Sequence, residues 1–204
     1  IGQMLVLYIM SLKISKIRGN IEEKEYIEKI KNLKNLPHGI ENSLKTEELI
    51  QVFAKDFLSA KGSMFLGRGL SFPIALEGAL KLKELSYLHA EGYPAGEMKH
   101  GPLALIEDGL PVIILAPKDK YFDKTISNMQ EVIARGGKVL LISDKHDEVI
   151  NENIRFKIEM PYIDELLNPF LLTIPLQLLA YHVALLKKCD IDKPRNLAKS
   201  VTVE

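Results

Sequence analysis

The segment GRGLSFPIALEGALKLKELSYLHAEGYPAGEMKHGPLAL, residues 67–105, decides the fold. A short apolar run, SMFL, ends at the first glycine of this segment, and Ser71 and Pro73 then supply the N-cap and a first-turn residue of a long helix. A glycine-rich loop that carries His100 follows the helix. The segment therefore predicts a strand, a turn and a helix, which is the repeating unit of parallel α/β sheets.

The same unit recurs along the chain. Near-continuous aliphatic runs predict strands buried on both faces, and an alternating run near the end predicts a sheet edge. The predicted strands are 63–67, 111–116, 138–142 and 154–160. Because strands alternate with helices, we expect an α/β fold, a doubly wound parallel sheet with helices on both faces, whose ligands bind beyond the carboxyl ends of the strands.

Further helices flank this pattern. Residues 1–18 predict one helix, and residues 21–60 predict several, broken near 37–39 and at Ser43. The segment 169–186 is apolar nearly all round but contains proline, glutamine and histidine. That composition favours a helix buried in the core or against another subunit over a membrane span.

Three parts are expected in the chain. Residues 1–45 would be a helical segment that ends a preceding domain and connects it to the next, residues 46–190 the α/β domain, and residues 191–204 a carboxyl-terminal tail. The chain begins at Ile1 inside a helical pattern, without a capping residue. We therefore expect it to be a fragment of a longer protein.

Composition argues against several classes of protein. The 204 residues carry 27 basic and 27 acidic side chains, which indicates neither a nucleic-acid partner nor a polybasic membrane surface. The single cysteine, Cys189, excludes an internal disulfide and a cysteine-based zinc site and fits the cytoplasm. The apolar run at 4–10 is too short for a membrane span.

Three charged residues share one face of the first predicted helix. Glu77, Lys81 and Glu84 are spaced i, i+4 and i+7, so they project from one narrow stripe. The stripe is either a surface ladder of ion pairs or the wall of a cleft, where a carboxylate could act as a general base. The opposite face makes a poor solvent face, which favours the cleft. Its residues are Ala75, Ala79, Lys83 and Ser86.

The loop at 91–102 contains three glycines and two prolines and is expected to be irregular. Its histidine, His100, is either a turn residue or a catalytic group, and the sequence alone favours the turn. His89 and His100 lack the spacing of metal ligands, and no cysteine or aspartate cluster accompanies them. We therefore expect no metal.

Gly67, Arg68 and Gly69 form a glycine-rich turn before a helix N-terminus, which suits a phosphate or another anion. The third glycine of a dinucleotide motif is missing, because Phe72 stands in its place. No Walker A lysine pattern occurs. We therefore expect neither NAD nor ATP, and no cofactor.

The end of the chain, residues 197–203, is too apolar for a free tail, which favours docking on the protein. Lys199 lies in this segment. It is either a solvated terminal lysine or, if it is held in a cleft, an amine that can form a Schiff base with a carbonyl group.

Three stretches together resemble one known family. They are residues 67–106, IPLQLLAYHVALLK at 174–187, and DKPRNLAKSVTVE at 192–204. They are similar to the carboxyl-terminal part of the glucosamine-6-phosphate synthases, the isomerising glutamine:fructose-6-phosphate aminotransferases. The resemblance implies the second of two sugar isomerase (SIS) domains, with a flavodoxin-like three-layer αβα sandwich.

By this resemblance, Lys199 would form the Schiff base with the C2 carbonyl of open-chain fructose 6-phosphate. Glu84 would move the proton between C1 and C2, and Ala198 would contact the substrate together with these two residues. Lys81 and Glu77 would support the proton transfer. The product would be glucosamine 6-phosphate.

The resemblance also implies partners. The family forms homodimers through the isomerase domains, and His100 would reach into the neighbouring subunit's site and assist ring opening. Ammonia would come from a glutaminase domain, which this sequence lacks, as it lacks most of the first SIS domain. We therefore expect the isolated chain to have an incomplete site. Two alternatives remain: a non-catalytic SIS module that senses sugar phosphates, and an isomerase that needs no ammonia.

Overall fold

The computed structural model describes residues 1–144 and 152–197. Its helices are α1 (Gly2–Ile17), α2 (Glu23–Leu33), α3 (Leu36–Leu44), α4 (Glu47–Ala54), α5 (Ser71–Ser86), α6 (Phe122–Ile133) and α7 (Asn168–Leu186). Its strands are β1 (Gly62–Gly67), β2 (His89–Pro94), β3 (Pro111–Leu115), β4 (Lys138–Ser143) and β5 (Ile154–Glu159). Short 3-10 turns span Lys55–Phe57, Ala95–His100, Pro102–Leu105 and Glu165–Leu167.

The five strands form one parallel sheet in the order β2-β1-β3-β4-β5. This is the flavodoxin-like strand order. β1, β3 and β4 are buried along almost their whole length, as their aliphatic runs predict, and β5 is the edge strand that its alternation predicts. The predicted α/β fold is confirmed.

The other edge strand, β2, covers the first residues of the segment 91–102, which was predicted to be an irregular loop. That prediction is wrong for residues 91–94. β2 pairs in parallel with β1 from His89 to Pro94. An edge strand needs backbone partners on one side only, so the terminal Pro94 is tolerated there. Gly92 lets the strand lie against the backbone of α5, because a Cβ at that position would lie 2.9 Å from the Leu76 nitrogen. Glycine and proline, which indicated a loop, instead serve close packing at a sheet edge.

Two hydrophobic cores lie on the two faces of the sheet, and successive strand residues alternate between them. Phe65 and Ile113 belong to the core shared with α4, α5 and α7. Met64 and Val112 belong to the core shared with α6. Helices therefore cover both faces, as a doubly wound sheet requires.

The apolar helix α7 is a core helix. The segment Glu165–Leu186 is long and apolar enough to cross a membrane by length and composition, yet 67% of its most apolar window is buried inside the protein. It packs closely on α5, since a Cβ on Gly78 would lie 2.7 Å from the Leu176 side chain. The prediction of a helix buried in the core is confirmed.

Two local predictions are wrong in position. Residues 21–60 form several helices, as predicted, but the breaks lie at 34–35 and 45–46, because Pro37 occupies the first turn of α3 and needs no amide hydrogen. Ser43 is buried and donates a hydrogen bond to the Gly39 carbonyl at 2.9 Å. Ser71 is the first residue of α5, and the N-cap is Leu70, which makes no side-chain capping bond.

An ion pair ties α2 to the segment before α7. Lys29 Nζ lies 2.8 Å from Asp164 Oδ2, and the Asn32 amide donates to the same oxygen at 3.1 Å. Burial raises the pKa of Asp164, but hydrogen bonds from Lys29, the Leu166 amide and Asn32 lower the pKa overall. α3 and α4 also pack on α7. The amino-terminal helices therefore pack against the α/β core, and the division at residue 45 stays a prediction.

Candidate active site on helix α5 and the carboxyl-terminal segment

A very tight turn fixes where α5 begins. Gly67 has no room for a side chain, because a Cβ would lie 2.9 Å from the Phe72 nitrogen and closer still to the Ser71 carbonyl. Gly69 has a φ of 53°, in the left-handed region that favours glycine. The turn therefore sets the position of α5 on β1. It thereby also determines which α5 side chains point away from the sheet.

The inner face of α5 combines small and large residues. Ala75, Ala79 and Ser86 are buried, as are Ile74 and Leu82, and Gly78 packs against Phe65 and Leu176. The sequence identified this side as a poor solvent face, which is correct for the two alanines and the serine but wrong for Lys83, which is exposed. The inner face packs on the sheet and on α7, so the charged stripe lies on the outer side.

The stripe forms an ion-pair ladder in this chain. Lys81 Nζ lies 2.7 Å from Glu84 Oε2 and 3.8 Å from Glu77 Oε1. The side chains of Glu77, Lys81 and Glu84 are 42%, 33% and 28% exposed. The hydrogen bond to Glu84 raises the pKa of Lys81, against the effect of burial, so this ammonium stays charged at neutral pH. The ion-pair ladder is confirmed, and the interpretation of the stripe as the wall of a cleft stays a prediction.

The carboxyl-terminal segment returns to the end of α5 that carries Glu84. Tyr87 caps this end in the left-handed conformation, with a φ of 58°. Its hydroxyl accepts a hydrogen bond from the Arg195 backbone N–H at 2.8 Å, and the Arg195 guanidinium stacks on its ring at 4.1 Å. Sequence reasoning missed both residues, because a contact across 108 positions leaves no local signal.

The remaining residues of that segment that matter to the predicted site, Ala198 and Lys199, lie outside the described residues. Their roles stay predictions. The structure shows where the chain that leads to them is held. Arg195 contacts Tyr87, which lies three residues after Glu84.

His100 and Glu84 lie toward opposite ends of α5 within this chain. His100 is exposed and ends the 3-10 turn that follows β2, beyond the carboxyl end of that strand. α5 runs back from this rim, so Glu84 lies about 20 Å along the helix axis from Ser71, at 1.5 Å per residue. Within one chain, the two residues belong to opposite ends of the α5 layer.

The turn predicted to bind an anion opens on an acidic cavity. A cavity of about 300 Å³ beside Gly69 is lined by Asp119 and Glu165, with Lys120 as its cation. Burial raises the pKa of Asp119. Arg68 packs instead against Gly96 and bonds Asn128. A phosphate is therefore disfavoured at this turn. Among residues 1–144 and 152–197, no group of three or more metal-ligating side chains occurs.

The chain matches known proteins over most of its length. A model of the SIS domain matches residues 56–187. The glutamine–fructose-6-phosphate aminotransferase (isomerizing) of Bartonella quintana is 49% identical over 203 residues, covering 99% of this chain and 33% of the relative. That of Bordetella pertussis is 50% identical over 202 residues, covering 99% and 33%. The chain thus spans about a third of the length of these curated relatives.

Solved structures give the same result as the sequence comparisons. The C-terminal domain of glucosamine-fructose-6-phosphate aminotransferase from Francisella tularensis has a TM-score of 0.91 and 43% identity, covering 94% of this chain and 55% of that one. Glucosamine-6-phosphate deaminase from Thermotoga maritima has a TM-score of 0.66 and 26% identity, covering 93% and 52%. The resemblance to the isomerising aminotransferases is confirmed. With a family model that matches residues 56–187 and a parallel sheet of the expected order, the chain belongs to the SIS domain family.

Proposed function

We propose that this chain is the isomerase part of a cytoplasmic glucosamine-6-phosphate synthase, which converts fructose 6-phosphate and glutamine-derived ammonia into glucosamine 6-phosphate. The relatives at 49–50% identity carry the name of this activity. The observation that carries the proposal is the contact between Arg195 and Tyr87. It holds the segment that leads to Lys199 at the end of α5 that carries Glu84.

Chain length supports the meeting of these two residues. Lys199 follows Arg195 by four positions, and an extended chain spans at most about 3.6 Å per residue. The lysine backbone is therefore within about 14 Å of the Arg195 anchor, before the length of its side chain is added. Glu84 lies one turn of α5 before Tyr87, the residue on which Arg195 stacks. An imine on Lys199 is thus within reach of the Glu84 carboxylate.

The reaction needs a nucleophilic amine and a base. The Lys199 amine attacks the C2 carbonyl, forms a carbon–nitrogen bond and releases water. Ammonia then displaces the lysine from the imine, so that its nitrogen stays on C2. Glu84 takes a proton from C1 and returns it to C2, while the C1 hydroxyl loses its proton and the C2 nitrogen gains one, which leaves an amine on C2 and an aldehyde at C1. Electrons are only redistributed within the sugar, so no redox cofactor is required.

Lys81 and Glu77 hold the proposed base in place. The Lys81 ammonium lies 2.7 Å from Glu84 and fixes the direction of its carboxylate. Glu77 lies 3.8 Å from the same ammonium and holds it from the other side. The ladder would therefore position Glu84 as well as stabilise the helix.

A second copy of the chain would complete the site. Leu76 and Leu80 beside the stripe are 45% and 40% exposed, as for a surface that another chain covers. His100, which is exposed and lies at the opposite end of α5 from Glu84 of its own chain, would then serve the neighbour's site.

Mixed dimers test this division of labour. Full-length Glu84→Gln and His100→Ala, each strongly impaired alone, are coexpressed. Half of the dimers formed at random are mixed and each has one intact site, so about a quarter of wild-type activity is expected. If mixing restores no activity, His100 does not act in trans.

Product analysis tests the function itself. The full-length protein, given fructose 6-phosphate and glutamine, is expected to form glucosamine 6-phosphate. Chromatography with mass detection measures this product. Binding of the sugar phosphate without turnover would favour the sensing module instead. Glucose 6-phosphate as sole product would favour an isomerase that needs no ammonia.

A further inference from the structure

The segment Ala95–His100 is attached to α6 by contacts that the reaction above does not use. Ala95 and Met98 are fully buried in the same core as Met129 and Val132 of α6. His100, at the end of the segment, is exposed. We call residues 95–100 the arm. Its early residues pack in the core, and its last residue projects from the surface.

An ion pair fixes the arm next to its end. Lys99 Nζ lies 2.9 Å from Glu131 Oε1 on α6, where the Glu131 side chain is 22% exposed. The second oxygen of Glu131 is buried and has no hydrogen-bond partner within residues 1–144 and 152–197. The Lys99 side chain is 60% exposed, so water screens this pair in part. The contact nevertheless ties the residue before His100 to α6.

A second contact fixes the start of the arm. The Arg68 guanidinium lies so close to Gly96 that a Cβ there would overlap it. The buried amide of Asn128 on α6 accepts a hydrogen bond from Arg68 Nε at 3.3 Å. The arm is thereby held between the turn after β1 and α6.

After His100 the chain is held by backbone contacts only at Gly101. Gly101 has a φ of 142°, its carbonyl accepts a hydrogen bond from the Ala104 N–H at 2.9 Å, and no described atom lies within 4 Å of the place where its Cβ would be. The side-chain contacts before His100 therefore help to set its direction. We propose that Glu131, through Lys99, is a positioning residue that aims His100 at the substrate. This inference rests on the proposed function, in which His100 assists ring opening.

The test compares Glu131→Gln with and without His100 in the full-length protein. Misplacing a catalytic group by about 1 Å costs up to about 100-fold, so we expect Glu131→Gln to lower kcat/KM by about 10- to 100-fold. In the His100→Ala background the same change should cause no further loss. The charge-reversed pair Lys99→Glu/Glu131→Lys should restore part of the activity. If Glu131→Gln proves unstable in thermal melting, Lys99→Met takes its place in the test, because Lys99 is exposed. This variant should show the same loss.

Glu23→Gln is the matched control, because it also removes a lysine partner, Lys16 at 2.7 Å, and should leave kcat/KM unchanged. An equal loss from Glu131→Gln in both backgrounds would mean a general structural effect and would overturn the inference alone. If His100→Ala itself kept full activity, the role given to His100 would fall, and the inference with it.

Discussion

Glu84→Gln in the full-length protein is expected to lower kcat by about 10²- to 10⁴-fold, the usual contribution of a general base. Glutamine keeps the size and the hydrogen-bonding oxygen of the side chain but cannot accept the C1 proton. The fold should not change, since a partly exposed ion pair contributes at most about 1 kcal/mol. Imine formation with the substrate should also persist, because it needs the lysine and not the carboxylate.

Solvent exchange at C1 identifies the step that is lost. Wild-type protein incubated with fructose 6-phosphate and glutamine in D₂O should incorporate deuterium at C1 of the remaining fructose 6-phosphate, measured by NMR, whereas Glu84→Gln should not. Lys83→Gln, an exposed substitution on the same helix, is the control and should behave as wild type. Exchange that continues in Glu84→Gln would assign the base to another residue.

Lys199→Arg is expected to lower kcat by about 10³-fold or more, as removal of a covalent nucleophile does. Arginine keeps the positive charge, but its guanidinium stays protonated and cannot form an imine. Glucosamine 6-phosphate formation measures the loss. Lys193→Arg is the control, because it makes the same change in the same segment at a position outside the proposed site. Activity retained in Lys199→Arg would exclude an imine at this lysine.

The sheet was predictable because its evidence is local. Aliphatic runs such as 111–116 and 138–142 indicate buried strands wherever they occur, and turns that contain glycine separate these runs from the neighbouring helices. β2 was not predictable in this way. Its glycine and proline indicate a loop, and only its pairing with β1 and its close approach to α5 make it a strand. Tertiary contacts overrode local preference there.

The candidate site was predictable in its parts but not in its assembly. Spacing alone places Glu77, Lys81 and Glu84 on one stripe, and the small opposite face indicates which side is packed. The contact between Arg195 and Tyr87 joins positions 108 apart and could not be inferred from either neighbourhood. The exposure of the stripe likewise depends on how α5 lies on the sheet, which its own sequence does not specify.

Borohydride trapping tests the central claim most directly. Full-length protein is incubated with fructose 6-phosphate, reduced with borohydride and digested, and the peptides are analysed by mass spectrometry. If Lys199 forms the imine, reduction should fix the sugar on the peptide that contains Lys199, in wild type and in Glu84→Gln but not in Lys199→Arg. Wild-type protein without a sugar adduct on Lys199 would contradict the proposed mechanism.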